Sequence, residues 1–154
     1  MIKKRYKKIV IDASRNRSGG AIIYLKNFIK HLNLENTQIK EIIIFSHKDI
    51  LDQIPNRSFL IKQSHPLLEM NRFFQIIWQF FYLTYFLKKN KIDILYSTSS
   101  TTFCNYSNSI LFNQNILSFD KKAFNQIPFS LEKIKIFIIK FVQIYSLNNA
   151  KEVI

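Results

Sequence analysis

Short runs of β-branched residues alternate with helix-periodic stretches along this chain, and no other feature constrains its fold as tightly. The run Ile9-Val10-Ile11, followed by Asp12 and Ala13, is apolar at successive positions, as a strand covered on both faces of a parallel sheet must be. Next, Ile22, Ile23, Leu25, Phe28, Ile29 and Leu32 recur on one side of a helix whose wet face carries Lys26, Asn27 and Lys30. Strand character returns at 39–45, around Ile42-Ile43-Ile44-Phe45, and then at 58–62, 92–96 and 109–113. Helices are expected at 48–53 (stopped by Pro55), at 71–89 and at 130–148, and Glu152-Val153-Ile154 opens as a further strand. This order implies an α/β fold, a parallel sheet with helices on both faces, in a single domain over 1–154. Ligands in such sheets sit beyond the carboxyl ends of the strands, so the loops 14–20, 97–108 and 114–120 are the places to look. The last strand reads as cut short, because an abbreviated buried strand leaves backbone groups uncovered.

Charge narrows the partners. The 154 residues carry a formal net charge of +13, which favours anionic partners: nucleic acid, phosphorylated substrates or an acidic membrane surface. Part of that excess is compositional drift, since the chain is rich in Ile, Lys, Asn and Phe and poor in Gly, Ala and Pro, as AT-rich coding produces. Lys3, Lys4, Arg5, Lys7 and Lys8 resemble the basic start of a signal peptide, but Asp12 ends the apolar run too soon. A cytoplasmic protein is expected. The single cysteine, Cys104, fits a reducing compartment and reads as an inert thiol. His31, His47 and His65 have no ligand spacing and read as surface or packing residues, so neither a metal nor a cofactor is expected.

The stretch 73–87 carries no charge and is dense in aromatics, but a bilayer span needs about 20 apolar residues. Gln75 and Gln79, four apart, form a polar stripe with Arg72. A core helix is the leading reading. A helix pressed into a membrane surface beside Lys88, Lys89 and Lys91 comes second, and a membrane span third.

The only two glycines, Gly19 and Gly20, stand together in the first strand-to-helix loop with Arg15, Arg17 and Ser18. Glycine there permits positive φ and close approach of a ligand, and the start of the following helix offers N–H groups and a positive dipole end to an anion. The loop matches neither the dinucleotide fingerprint nor a phosphate-binding P-loop.

The segment IVIDASRNRSGGAIIYLKNFIKHL resembles the opening of family 4 glycosyltransferases: a buried strand, a glycine-rich loop and a helix with an aromatic-Leu pair, here Tyr24-Leu25. The likeness continues through KKNKIDILYSTSS and ILFNQNILSFD to NNAKEVI. It implies the Rossmann-like amino-terminal half of a GT-B fold, which holds the acceptor, while a carboxy-terminal half supplies the nucleotide-sugar grip and an acidic motif. It also implies retaining transfer without a catalytic metal, onto a surface polysaccharide or glycolipid. Ser18, Gly19, Gly20, Arg15 and Arg17 would form the donor-diphosphate and acceptor loop. Asn113, Gln114 and Asn115 fall where the family has a polar residue, often histidine, facing the cleft. Amides cannot take a proton at neutral pH, so a general-base role there is in doubt. Ser118 stands where relatives tend to have proline. Asp120 would bind an acceptor hydroxyl or, as the better reading, cap the next helix.

On this reading the chain is the acceptor-side half of a transferase, inactive alone. The alternative is a non-enzymatic basic module for nucleic acid or an acidic membrane surface. No helix-turn-helix, zinc or RNP pattern supports its nucleic-acid form.

Overall fold

The computed structural model describes residues 7–17, 19–112, 120–128 and 130–154. Six strands form one sheet: β1 (Lys7–Asp12), β2 (Ile39–Phe45), β3 (Leu60–Gln63), β4 (Ile94–Ser97), β5 (Ser109–Leu111) and β6 (Glu152–Val153). Their order is β3-β2-β1-β4-β5-β6 and every neighbouring pair is parallel. That is the doubly wound, Rossmann-like arrangement, so the expected α/β class and parallel sheet hold.

The helices are α1 (Gly20–His31), α2 (Lys48–Leu51), α3 (Pro66–Glu69), α4 (Arg72–Ile77), α5 (Thr84–Lys89), α6 (Lys121–Gln126) and α7 (Leu131–Asn149). Successive side chains of a strand point to opposite faces, and this sorts the core into two halves. Ile11, Ile42 and Ile44 pack against Leu25 and Ile29 of α1 and Ile50 and Leu51 of α2. Val10, Ile43, Phe45 and Leu95 pack against Leu68, Trp78, Leu83 and Leu87 on the other side. Helices therefore cover both faces. Each such fully buried aliphatic side chain contributes roughly 1.5–3 kcal/mol of transfer free energy. β1 has neighbours on both edges and cover on both faces, which is why its sequence reads as an unbroken apolar run.

The aromatic helix expected at 71–89 runs from Arg72 to Lys89, and Asn71 caps it by accepting from the backbone N–H groups of Phe73 and Phe74. Its middle, Trp78–Leu83, is a π-helical stretch. Thr84 Oγ1 donates to the Gln79 carbonyl at 3.1 Å, five residues back, and accepts from the Asn105 N–H at 3.3 Å. The hydroxyl thus serves a carbonyl in the widened turn and ties it to the loop before β5. Trp78, Leu83 and Leu87 are buried, so one side of the helix belongs to the core, while Phe73, Phe80, Phe81 and Tyr85 on the other side are exposed. Among the described residues no helix is long and apolar enough to cross a membrane, so the span is set aside.

Boundaries shift by a residue or two at 48–53, 58–62 and 92–96, where flanking turns replace the expected ends. α3 and α6 lie outside the sequence reading. α3 carried a legible signal: Pro66 sits at its first turn, and His65 Nδ1 accepts from the Leu67 N–H at 3.2 Å. β6 pairs with β5 through Ile110 and Leu111, and both its residues are exposed.

Candidate functional site

β1 is where the winding of the sheet reverses: β2 and β3 lie on one side of it, and the chain then returns to β4 on the other. Two neighbouring strands whose connections leave in opposite directions open a crevice at their carboxyl ends. Two adjoining cavities occupy that position. The first, of about 270 Å³, is lined by Thr98, Ser99, Ser100 and Thr101 after β4 and by Gln143 of α7. The second, of about 260 Å³, is lined by Arg17, Arg72 and Gln75. Arg15, Asn16 and Ala21 line both.

The walls are held by a buried polar network under the carboxyl end of β1. Asp12 accepts from the Ser14 N–H at 3.0 Å and from Gln79 Nε2 at 2.7 Å. Gln79 Nε2 also lies 3.3 Å from Ser14 Oγ, and its Oε1 accepts from the Phe103 N–H at 3.4 Å. His47 Nε2 stands 3.1 Å from the Ser14 carbonyl and 2.9 Å from Gln75 Nε2. The ring nitrogen donates to the first or accepts from the second, according to tautomer. Gln75 Nε2 also donates to the Leu68 carbonyl at 3.3 Å. Across the crevice, Thr98 Oγ1 donates to Asn16 Oδ1 at 3.0 Å, tying the loop after β1 to the loop after β4. The latter is clamped from outside: Gln143 Nε2 donates to Ser100 Oγ at 2.8 Å, and Ser146 Oγ accepts from the Thr102 N–H at 3.1 Å and shares its proton between the carbonyls of Thr102, at 2.9 Å, and Val142, at 2.8 Å.

Electrostatically the site is cationic at its rim and acidic only beneath it. Burial lowers the Arg15 guanidinium from its ordinary value, an effect opposed by Asp12 and reinforced by Arg72; the group stays charged. Burial raises the Asp12 carboxyl, against the hydrogen bonds from Ser14 and Gln79 and the charge of Arg15. Asp12 lines neither cavity, so it orders the walls and does not reach a ligand. Hydroxyls, amides and guanidinium groups are the donors that an oxyanion with hydroxyl-bearing neighbours requires. Among the described residues, the side chains lining the cavities include no carboxylate, imidazole or thiol to act as a base or nucleophile. Cys104, buried and pushed up to about 12 by desolvation, is inert.

Arg15 and Arg17, expected at the site, do line it, although Arg17 is exposed and donates to the Met70 carbonyl at 3.0 Å. Gly19 and Gly20 open α1 beside Ala21. Gly19 has φ +69°, and α1 has no side-chain cap there, so its carbonyl closes the first turn by accepting from Ile22 and Ile23. Gly20 has an ordinary backbone, and a Cβ on it would meet nothing within 4 Å. The geometric need inferred for the pair therefore belongs to Gly19; open space above Gly20 is what the chain itself provides. Ser18, Asn113, Gln114 and Asn115 lie outside the described residues. Asp120 is exposed, immediately precedes α6, and its carbonyl accepts from the Phe124 N–H at 2.9 Å.

Arg72 and Gln75 were legible as a polar stripe on an aromatic helix, and the stripe does face the crevice. Gln143 was not singled out, nor Ser146 behind the wall; two uncharged polar residues three apart on one side of a helix that also carries lysines were the available signal. His47, read as a packing residue, is one, but its partner is the polar floor of the site.

No family model, no curated protein and no solved structure matches the chain. The doubly wound sheet by itself hosts many chemistries, so function has to be argued from this site.

Proposed function

We propose that this chain is the acceptor-side half of a retaining glycosyltransferase resembling family 4. It would act on a nucleotide-sugar donor together with a second domain that grips the nucleotide. The observation that carries the reading is the meeting, at the point where the sheet reverses, of Arg15, Asn16 and Arg17 from the loop after β1 with Arg72, beside a wall of Ser and Thr hydroxyls; Gly19 and Gly20 line neither cavity. The guanidinium groups suit the donor diphosphate. The hydroxyls and Asn16 suit sugar or acceptor hydroxyls, and Asp120 is a further acceptor contact in this reading. Its product is a surface polysaccharide or glycolipid, made on the cytoplasmic side. In this reading the cationic seat binds and orients the donor, and leaving-group stabilisation by fixed cations is its contribution to transfer.

The 154-residue chain should bind pyrophosphate in the millimolar range and turn over no nucleotide sugar. In a titration followed by amide NMR, pyrophosphate should shift Ala21 and Thr98 to Ser100, and Arg15→Ala with Arg72→Ala should remove the response. Micromolar affinity for a nucleotide sugar, or sugar transfer by this chain alone, would sink the half-enzyme reading. Unmoved amides at the crevice would sink the seat itself.

A further inference from the structure

α7 is amphipathic the wrong way round. Its inward side carries Gln143 and Ser146, only 2% and 3% exposed and both bonded to the loop after β4. Outward stand Ile134, Phe137, Ile138, Phe141 and Tyr145, at the spacing of one helical face; Phe141 is 58% and Tyr145 63% exposed. Turning the helix to hide this face would break the bonds to Ser100 and Thr102, so the polar contacts fix the apolar side outward.

That face does not stand alone. Phe80 of the π-helical stretch, Phe103, Phe141 and Tyr145 line a common groove of about 410 Å³. Phe80 packs edge-on against Phe81, which is 66% exposed, and Phe141 packs against Phe137 in the same way. The result is one apolar surface spread over two helices, larger than the scattered apolar residues of an ordinary exterior. Cations border it: Lys140 along one edge of α7, and Lys89, whose Nζ lies 5.4 Å from the Tyr85 ring centre, at the end of α5; Lys133 on that edge of α7 instead donates to the Ile127 carbonyl at 2.8 Å.

We infer that this surface docks on an anionic lipid bilayer, with α7 and the aromatic helix lying in the plane of the interface. An apolar helix face flanked by lysines is the pattern such helices share, and the chain's +13 net charge draws it to anionic headgroups. The same charge repels a second copy. Branched aliphatic residues among the aromatics suit acyl chains better than stacked bases. The inference stands whether or not the transferase reading does.

The test uses the intact chain and vesicles of phosphatidylcholine, with or without phosphatidylglycerol. The chain should float with the anionic vesicles, weaken as salt rises, and ignore the neutral ones. Phe81→Ser with Phe141→Ser, both at exposed positions and checked for native circular dichroism, should reduce partitioning at least about tenfold. A Phe141→Trp probe, read as the difference from the wild-type spectrum because Trp78 is itself buried, should shift its emission to the blue only when anionic vesicles are added. Equal partitioning of the serine variant, or no flotation, would overturn the inference. So would a difference spectrum that is already blue before lipid is added, which would mean that a second copy or a bound protein already covers the face.

Discussion

Gly19 and Gly20 stand side by side and answer to different physics. Gly19, at φ +69° and ψ −145°, occupies a region that side-chain-bearing residues avoid, and Ala there should cost about 1–3 kcal/mol. Gly20 begins α1 with an ordinary backbone and open space, so Ala there should leave stability unchanged or raise it by up to about 1 kcal/mol. Urea melts of the two single variants check this. Two equally damaging substitutions would mean that Gly20 too is needed by the fold and is not simply open to a ligand. Asp12 gives a second test at the same scale. Its folded-state pKa is raised by burial, so the stabilisation it gives is complete below its unfolded value and is lost as pH rises through the folded one. Asp12→Asn carries no charge and should gain on the wild type as pH rises from about 4 to 7. Melting temperatures of both proteins across that range decide it, and a gap that moves the other way would mean that Asp12 is stabilised as the carboxylate.

Among the elements, what the sequence could say depended on which force sets each one. β1 and β2 were legible because burial on both faces demands continuous apolar residues, and α1 because a sheet-facing helix shows a one-sided apolar stripe. The π-helical turn was illegible, since Thr84 differs in no way from any helical threonine until its hydroxyl meets the Gln79 carbonyl. α7 was legible as a helix and misleading as to its facing. Periodicity argues that the side bearing Phe137 and Phe141 turns inward, whereas hydrogen bonds from Gln143 and Ser146 hold the opposite side inward. The crevice was half legible: its loops follow from strand order, but the wall from α7 does not. Ser146→Ala tests this orientation. It removes partners from the N–H and the carbonyl of buried Thr102 and should cost about 1–3 kcal/mol, whereas Phe141→Ser should cost well under 1 kcal/mol. Denaturant midpoints in the reverse order would mean that α7 is held by its apolar face.

For the molecule as a whole, charge is the unspent variable. With 23 Lys and Arg against 10 Asp and Glu, self-repulsion opposes the compact state. A close pair such as Lys8 with Glu41, at 3.9 Å, offsets little of it, because a surface pair contributes at most about 1 kcal/mol. Sodium chloride raised from about 0.05 M to 0.3 M shortens the screening length and should raise the melting temperature by about 2–5 °C. Sulfate at the same ionic strength should raise it further. One part of that excess is general exclusion from the surface; the other is occupancy of the seat between Arg15 and Arg72. The two parts separate in Arg15→Ala with Arg72→Ala, which keeps the general part and should lose the other, about 3–5 °C if sulfate stands near tenfold above its dissociation constant. Diffuse repulsion and a localised anion seat therefore make different demands on one melting series. If the double variant keeps the full sulfate excess, the arginines at the reversal of the sheet are ordinary surface charge, and the cavities they line hold no anion.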